Sequence, residues 1–255
     1  MFLGGGGMGG LEPVFLAIFI LSAFAGSFVA GVAGFAFAPI AAGVWLHLMP
    51  PAQATTLIVA FGLVVQGLSV WRLRHAVQPR RLMPFILGAA LGVPAGVALL
   101  HRATPDLLRH SVGIVLILFS LYALTRPPLP PVQRGGALAD GAIGLANGVL
   151  GAMTGIAGII VTVWSGLRGW PKDEQRAVFQ PFAVAVFAMT AAWMGGTGLL
   201  DTHTLTLGAL GLPAILLGTT MGLCFFGRLG EDGFRRTVLI LLLVSGVALA
   251  VPALA

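Results

Sequence analysis

From Pro13 to Trp71 the chain contains no Asp, Glu, Lys or Arg, an uncharged run of 59 residues. About a quarter of the residues of a soluble domain are charged, so a run of this length belongs in lipid. A bilayer-spanning helix needs roughly 20 apolar residues, and this stretch alone supplies two or three. The rest of the 255 residues follow suit, with 58% hydrophobic and 9% charged overall. The fold class expected is all-α, a polytopic bundle of transmembrane helices, with no room for a soluble catalytic domain.

A net charge of +6 would point to nucleic acid in a soluble protein. Here the basic residues fall in short gaps between apolar segments, where the positive-inside rule assigns them to the cytoplasm, so the expected partner is the lipid bilayer and not nucleic acid. Cys224 is the sole cysteine and lies in an apolar run, so one chain builds neither a disulfide nor a thiolate metal site, and no cofactor is expected. Met1 to Gly10 is glycine-rich without a basic n-region. The first apolar segment therefore reads as retained rather than cleaved.

The apolar segments run 11–48, 52–71, 82–100 and 107–125, then 135–167, 177–200, 202–227 and 237–255. Between the two sets, residues 126–134 hold four prolines and cannot form a helix interior; they read as a cytoplasmic linker between a first transmembrane repeat, 1–125, and a second, 135–255. The halves match in order. Gly34 pairs with Gly155 and Pro50 with Pro171 at an offset of 121, and Gly96 with Gly222, Arg102 with Arg228 and Arg109 with Arg235 at an offset of 126. Duplicated halves are a common construction of secondary transporters.

Each half opens on a segment that is too long and is broken by glycine. Residues 11–48 would make a helix of about 57 Å at 1.5 Å per residue, against a hydrocarbon core of about 30 Å. Gly26, Gly31 and Gly34 interrupt the first opening segment, and Gly148, Gly151, Gly155 and Gly158 the second. Each is expected to form either a glycine-broken helix pair or a re-entrant hairpin. If the opening segments make an even number of crossings, twelve of the fourteen Lys and Arg residues fall on one side and only Arg102 and Arg109 on the other. A single crossing would give no bias. The rule of positive cytoplasmic loops then selects inverted repeats with both termini outside the cytoplasm.

The glycine-rich openings Gly31-Val-Ala-Gly34-Phe-Ala-Phe-Ala-Pro39 and Gly151-Ala-Met-Thr-Gly155-Ile-Ala-Gly158, and above all Gly169-Trp-Pro-Lys-Asp-Glu-Gln-Arg176-Ala-Val-Phe-Gln180, resemble the sulfite exporter TauE/SafE family across essentially the whole chain. The resemblance implies a multi-pass carrier of the bacterial inner membrane that exports sulfite or small organosulfonates. Phe35 and Phe37 depart from it, standing where further glycine is expected.

The residues themselves support a small anionic substrate. An interrupted helix exposes backbone N–H groups, and its N-terminal end carries about half a positive charge. Two such breaks facing each other would form a central anion site, although glycines also serve close helix packing. Gly31, Gly34, Gly155 and Gly158 are the candidate backbone donors, with Phe35 as a gate. Thr55, Gln66, Asn147 and Thr154 are polar groups within apolar runs that could donate to an oxyanion or bond between helices. Arg176, with Gln180 one turn on, offers a guanidinium fork suited to a sulfonate; Lys172, Asp173 and Glu174 beside it equally suit an interfacial anchor. No Asp, Glu or Lys falls at mid-membrane, and Asp140 lies within two turns of the linker. Export driven by the membrane potential, without obligatory proton coupling, is therefore expected, since 100 mV is worth about 2.3 kcal/mol per charge.

No nucleophile–base pair, paired carboxylates or metal-binding spacing supports an enzyme. An anion channel or an accessory membrane subunit with a different cargo is the alternative to a carrier. The oligomeric state is not readable from the sequence.

Overall fold

A computed structural model describes residues 12–33, 36–73, 77–125, 132, 135–195, 201–225 and 231–250. Gly34, Phe35, most of the linker 126–134, and Arg74, Arg126, Arg134 and Arg228 lie outside the described residues. What is described is helical throughout, in chain order α1 Pro13–Ala33, α2 Phe37–Leu48, α3 Pro51–Leu73, α4 Pro79–Arg102, α5 Pro105–Thr125, α6 Gly136–Thr154, α7 Ile159–Leu167, α8 Lys172–Gly195, α9 Thr202–Phe225 and α10 Glu231–Ala250. Seven of these, α1, α3, α4, α5, α6, α8 and α9, contain stretches of 19 to 24 residues long and apolar enough to cross a membrane.

Proline marks where several helices begin. Pro13, Pro51, Pro79 and Pro105 occupy the first positions of α1, α3, α4 and α5, where the missing N–H costs nothing and the fixed φ suits the first turn. The helices also run beyond the apolar segments. α4 takes in Arg80 and Arg81, and α8 begins at Lys172 rather than Ala177, because long basic side chains can lie along a helix end and reach water.

The opening segments break and fold back. Gly26 of α1 lies against Phe37 and Ile40 of α2, and Trp45 Nε1 donates to Ser22 Oγ at 2.9 Å. In the second half, Trp164 Nε1 donates to Asp140 Oδ1 at 2.7 Å, joining α7 to α6. At 12 and 9 residues, α2 and α7 are about 18 and 14 Å long, too short to cross a core of about 30 Å. Each opening segment is thus one long helix with a short one returning along it.

Glycine seams fix the lateral packing. α4 and α6 run parallel, Gly88 facing Gly141, Gly92 facing Leu145 and Gly96 facing Val149. α1 and α9 also run parallel, Gly218 meeting Phe24 and Ser27 and Gly222 meeting Phe28. α5 and α10 run antiparallel, with Gly113 against Gly246 and Ala250. A Cβ at most of these positions would run into the opposing backbone. Lipid is as apolar as leucine, so helix association in a membrane depends on such close contact. α3 and α8 pack between the seams, where Gly62 admits the Phe187 ring.

These directions separate the charges. The starts of α4, α8 and α10, bearing Arg80, Arg81, Lys172, Arg176, Arg235 and Arg236, lie at one end of the bundle with Arg168, hereafter the basic end. Arg102 and Arg109 lie at the other.

Gly88→Ala is expected to force α4 and α6 apart and to cost about 1–3 kcal/mol, as overpacking does. Gly67→Ala, in open space, gains up to about 1 kcal/mol of helix propensity. Thermal unfolding in detergent, followed by size-exclusion of the surviving monodisperse protein, should move the two midpoints in opposite directions.

Candidate functional site

Both breaks occur deep in the bundle. α7 begins beside Asn147, eleven residues into α6, or about 16 Å along it, and α2 begins beside Gly26, about 20 Å along α1. The two N-termini meet at a cavity of about 30 Å³. Ala36 to Pro39 enter it from the first break and Ala157 to Ile159 from the second, with Gly62 and Gln66 of α3 between them. Phe119 of α5 and Phe179 and Phe187 of α8 form an aromatic wall. Among the described residues no charged side chain lines it.

The local conformation explains the breaks. Gly155 ends α6 with φ 75° and its N–H on Gly151 O at 2.8 Å. Gly158 opens α7 with φ 94°. Both values lie in the left-handed region that glycine enters without penalty. A Cβ on Gly155 would also stand 2.6 Å from Ile58 of α3. Ala36 occupies the same position before α2, with φ 85°, and is the one non-glycine residue with positive φ among the described residues. The conformation costs an L-residue about 1–2 kcal/mol.

The two helix ends differ in how their N–H groups are satisfied. Asn147, fully buried, reaches across from α6, and its Oδ1 accepts from the N–H groups of Ile160 at 3.0 Å and Val161 at 3.3 Å. At α2 the N-cap residue Ala36 offers no side-chain cap, none of the other described residues caps the first turn, and Pro39 has no N–H. The N–H groups of Phe37 and Ala38 are left facing the cavity end of the helix. Gln66 is only 9% exposed and its Oε1 has no hydrogen-bond partner.

Of the residues singled out from the sequence, Gly158 and Gln66 line the cavity. Thr154 and Gly155 shape the break behind it, Thr154 Oγ1 donating to Leu150 O at 2.7 Å and accepting from Ile156 N–H at 3.2 Å. Asn147 caps α7. Thr55 is buried on α3, where its carbonyl faces Gly155. Gly31 lies in the α1–α9 seam, where a Cβ would be 2.8 Å from Gly222. Arg176 is half-buried and Gln180 fully buried on α8, and neither is among the cavity-lining residues, though Phe179 between them is. Gly34 and Phe35 lie outside the described residues. Phe119, Phe179 and Phe187 carry no sequence signal that separates them from other core phenylalanines. Nor does Ala36, which pairs with Ala157 at the offset of 121; only the structure places it, like Gly158, directly before the short helix.

Toward the basic end, Asp140 is buried and held by Trp164, with Arg168 3.8 Å away. Arg168 lies over the Trp164 and Trp170 rings. Arg81 of α4 lies over Trp170 and pairs with Glu174 of α8. This cluster joins α4, α6, α7 and α8 between the cavity and one end of the bundle.

A family model described as Sulfite exporter TauE/SafE matches residues 18–249. No curated protein and no solved structure matches the chain.

Removing the cap by Asn147→Ala is expected to cost about 1–2 kcal/mol, and Gly158→Ala about the same through its positive φ. Ala36→Gly, at the equivalent angle, should leave stability unchanged or higher. The three thermal midpoints, measured side by side in one detergent, check the ordering.

Proposed function

The chain belongs to the sulfite exporter TauE/SafE family, and from that premise we propose that it exports a small anion, sulfite or a small organosulfonate, by alternating access at the cavity between the two helix breaks. Membership makes it a multi-pass membrane transporter and not an enzyme. The observation that carries the finer reading is the convergence of two helix N-termini, deep in the bundle, on a cavity whose described lining residues carry no charge. Each N-terminus brings roughly half a positive charge. Irregular backbone is tolerated at membrane depth only where protein or a cavity satisfies it. Such a site favours an anion and disfavours a cation.

Residues 1–125 and 135–255 act as two inverted repeats joined by 126–134. The packing supports this, because partners exchange between the halves: α1 pairs with α9 as α6 pairs with α4, while α3 pairs with α8 and α5 with α10. α1 runs toward the basic end and α6 away from it. With the basic end cytoplasmic, both termini face the other side of a bacterial inner membrane. The ion pairs Arg81–Glu174 and Arg168–Asp140 then stand at the inner face. The Arg81–Glu174 pair is largely exposed and worth at most about 1 kcal/mol, a latch weak enough to open on every cycle. A negative interior drives an anion outward with about 2.3 kcal/mol per charge at 100 mV, and among the described lining residues there is no ionisable group to bind a coupling proton.

The test is charge movement on a solid-supported membrane with purified protein in liposomes, over sulfite, small sulfonates, carboxylates, sulfate and a cationic control. Saturable currents for sulfite or a sulfonate, persisting when the pH gradient is collapsed at clamped voltage, are expected. Currents abolished by that collapse would overturn uncoupled export, and currents for the cation alone would overturn the anion site.

A further inference from the structure

The cavity is one-sided in its hydrogen bonding, and this asymmetry narrows what it can hold. At α7 two of the first-turn N–H groups are already taken by Asn147. At α2 those of Phe37 and Ala38 have no side-chain cap among the described residues. Two polar side chains are among the described lining residues: the Thr162 hydroxyl, which already donates to Gly158 O at 2.8 Å, and the Gln66 amide, nine-tenths buried, with its Oε1 unpartnered. A buried amide left unpaired costs about 1–3 kcal/mol, so this group has a partner in the working cycle. Whichever way the amide is turned, one end donates and the other accepts. Two helix N–H groups and one amide N–H₂ therefore bind an acceptor-rich anion, while the amide oxygen requires a donor on the same ligand.

The charge follows from the same lining. Two helix ends supply about +1 between them, and the cost of stripping water from an ion rises with the square of its charge, so that a dianion is not compensated beside Phe37, Phe119, Phe179 and Phe187. Resting on the anion-carrier reading above, we propose that the substrate is a compact monoanion bearing its own hydrogen-bond donor, hydrogensulfite rather than sulfite dianion, held by the N–H groups of Phe37 and Ala38 and by the Gln66 amide. An unsubstituted alkanesulfonate, which has the charge but no donor, is the poorer ligand.

The experiment compares hydrogensulfite/sulfite with methanesulfonate in proteoliposomes at clamped voltage, at fixed total concentration, across the second ionisation of sulfurous acid near neutrality. Sulfite flux is expected to fall roughly tenfold for each pH unit above that ionisation, with one charge moved per sulfur, while methanesulfonate flux is smaller and flat. Gln66→Leu should erase most of the preference for sulfite over methanesulfonate, a change of about tenfold. Thermal stabilisation of wild type and Gln66→Leu in detergent by the same anions gives a second readout that needs no transport. Flux or stabilisation that holds or rises as the dianion takes over, two charges per sulfur, or a Gln66→Leu protein with its preference intact would overturn the proposal while leaving an anion carrier in place. pH-dependent stabilisation by sulfite without flux would overturn the carrier reading and retain the site. Neither flux nor stabilisation for either anion would overturn both.

Discussion

In hydrocarbon every backbone N–H and C=O must find a partner within the protein, and this requirement governs how the chain is built. Eight of the ten helices meet it within themselves over most of their length. The two breaks do not, and each solves the problem differently. The second closes its turn with Thr154 and Gly155 and satisfies two N–H groups of α7 through Asn147. The first leaves the end of α2 open toward a cavity. The two helix breaks are thus gathered at one point inside the bundle.

That gathering depends on the seams. Because α1–α9 and α4–α6 come together at backbone distance, the two broken segments are anchored by their long members, and their short members are free to point inward. The first short helix is fixed by the Trp45–Ser22 hydrogen bond and by aromatic contact, Trp45 packing on Phe19 at 4.8 Å between ring centroids and on Phe61 at 5.9 Å. The second is fixed by the Trp164–Asp140 hydrogen bond. A tryptophan N–H bonded to the long helix thus closes both hairpins, to a neutral serine in the first and to a buried aspartate in the second.

Much of this was legible in residues and some was not. The uncharged run to Trp71, the proline-rich stretch and the excess length of residues 11–48 and 135–167 announce a polytopic bundle with interrupted openings, because each is a conflict with bilayer thickness that only a break resolves. Gly155 and Gly158 announce the position of the second break through the backbone angles they permit. The first break is half hidden, since alanine at position 36 adopts an angle that sequence reasoning reserves for glycine. Asn147 illustrates the limit on the polar candidates. An amide in an apolar run needs a partner, but whether that partner is a substrate or the end of a neighbouring helix depends on which residues lie thirteen positions along and folded back. The aromatic wall is set by helix rotation about α5 and α8, for which a nearly uniformly apolar sequence gives no phase.

No arginine is among the described residues that line the cavity, and on the proposed reading of alternating access this has a physical sense. Such a protein must return empty as well as loaded. A guanidinium in the cavity would bind an oxyanion through a bidentate, charge-assisted pair, but in the empty state it would be a buried charge without its counterion, at a penalty of several kcal/mol. An unpaired amide and two helix N–H groups cost far less when vacant, about 1–3 kcal/mol for each group, and a few waters can satisfy them. A lining of backbone dipoles therefore keeps the loaded and empty states close in energy, as repeated turnover requires. Placed on α8 one turn before Phe179, Arg176 is not among the cavity-lining residues and so lies outside that balance.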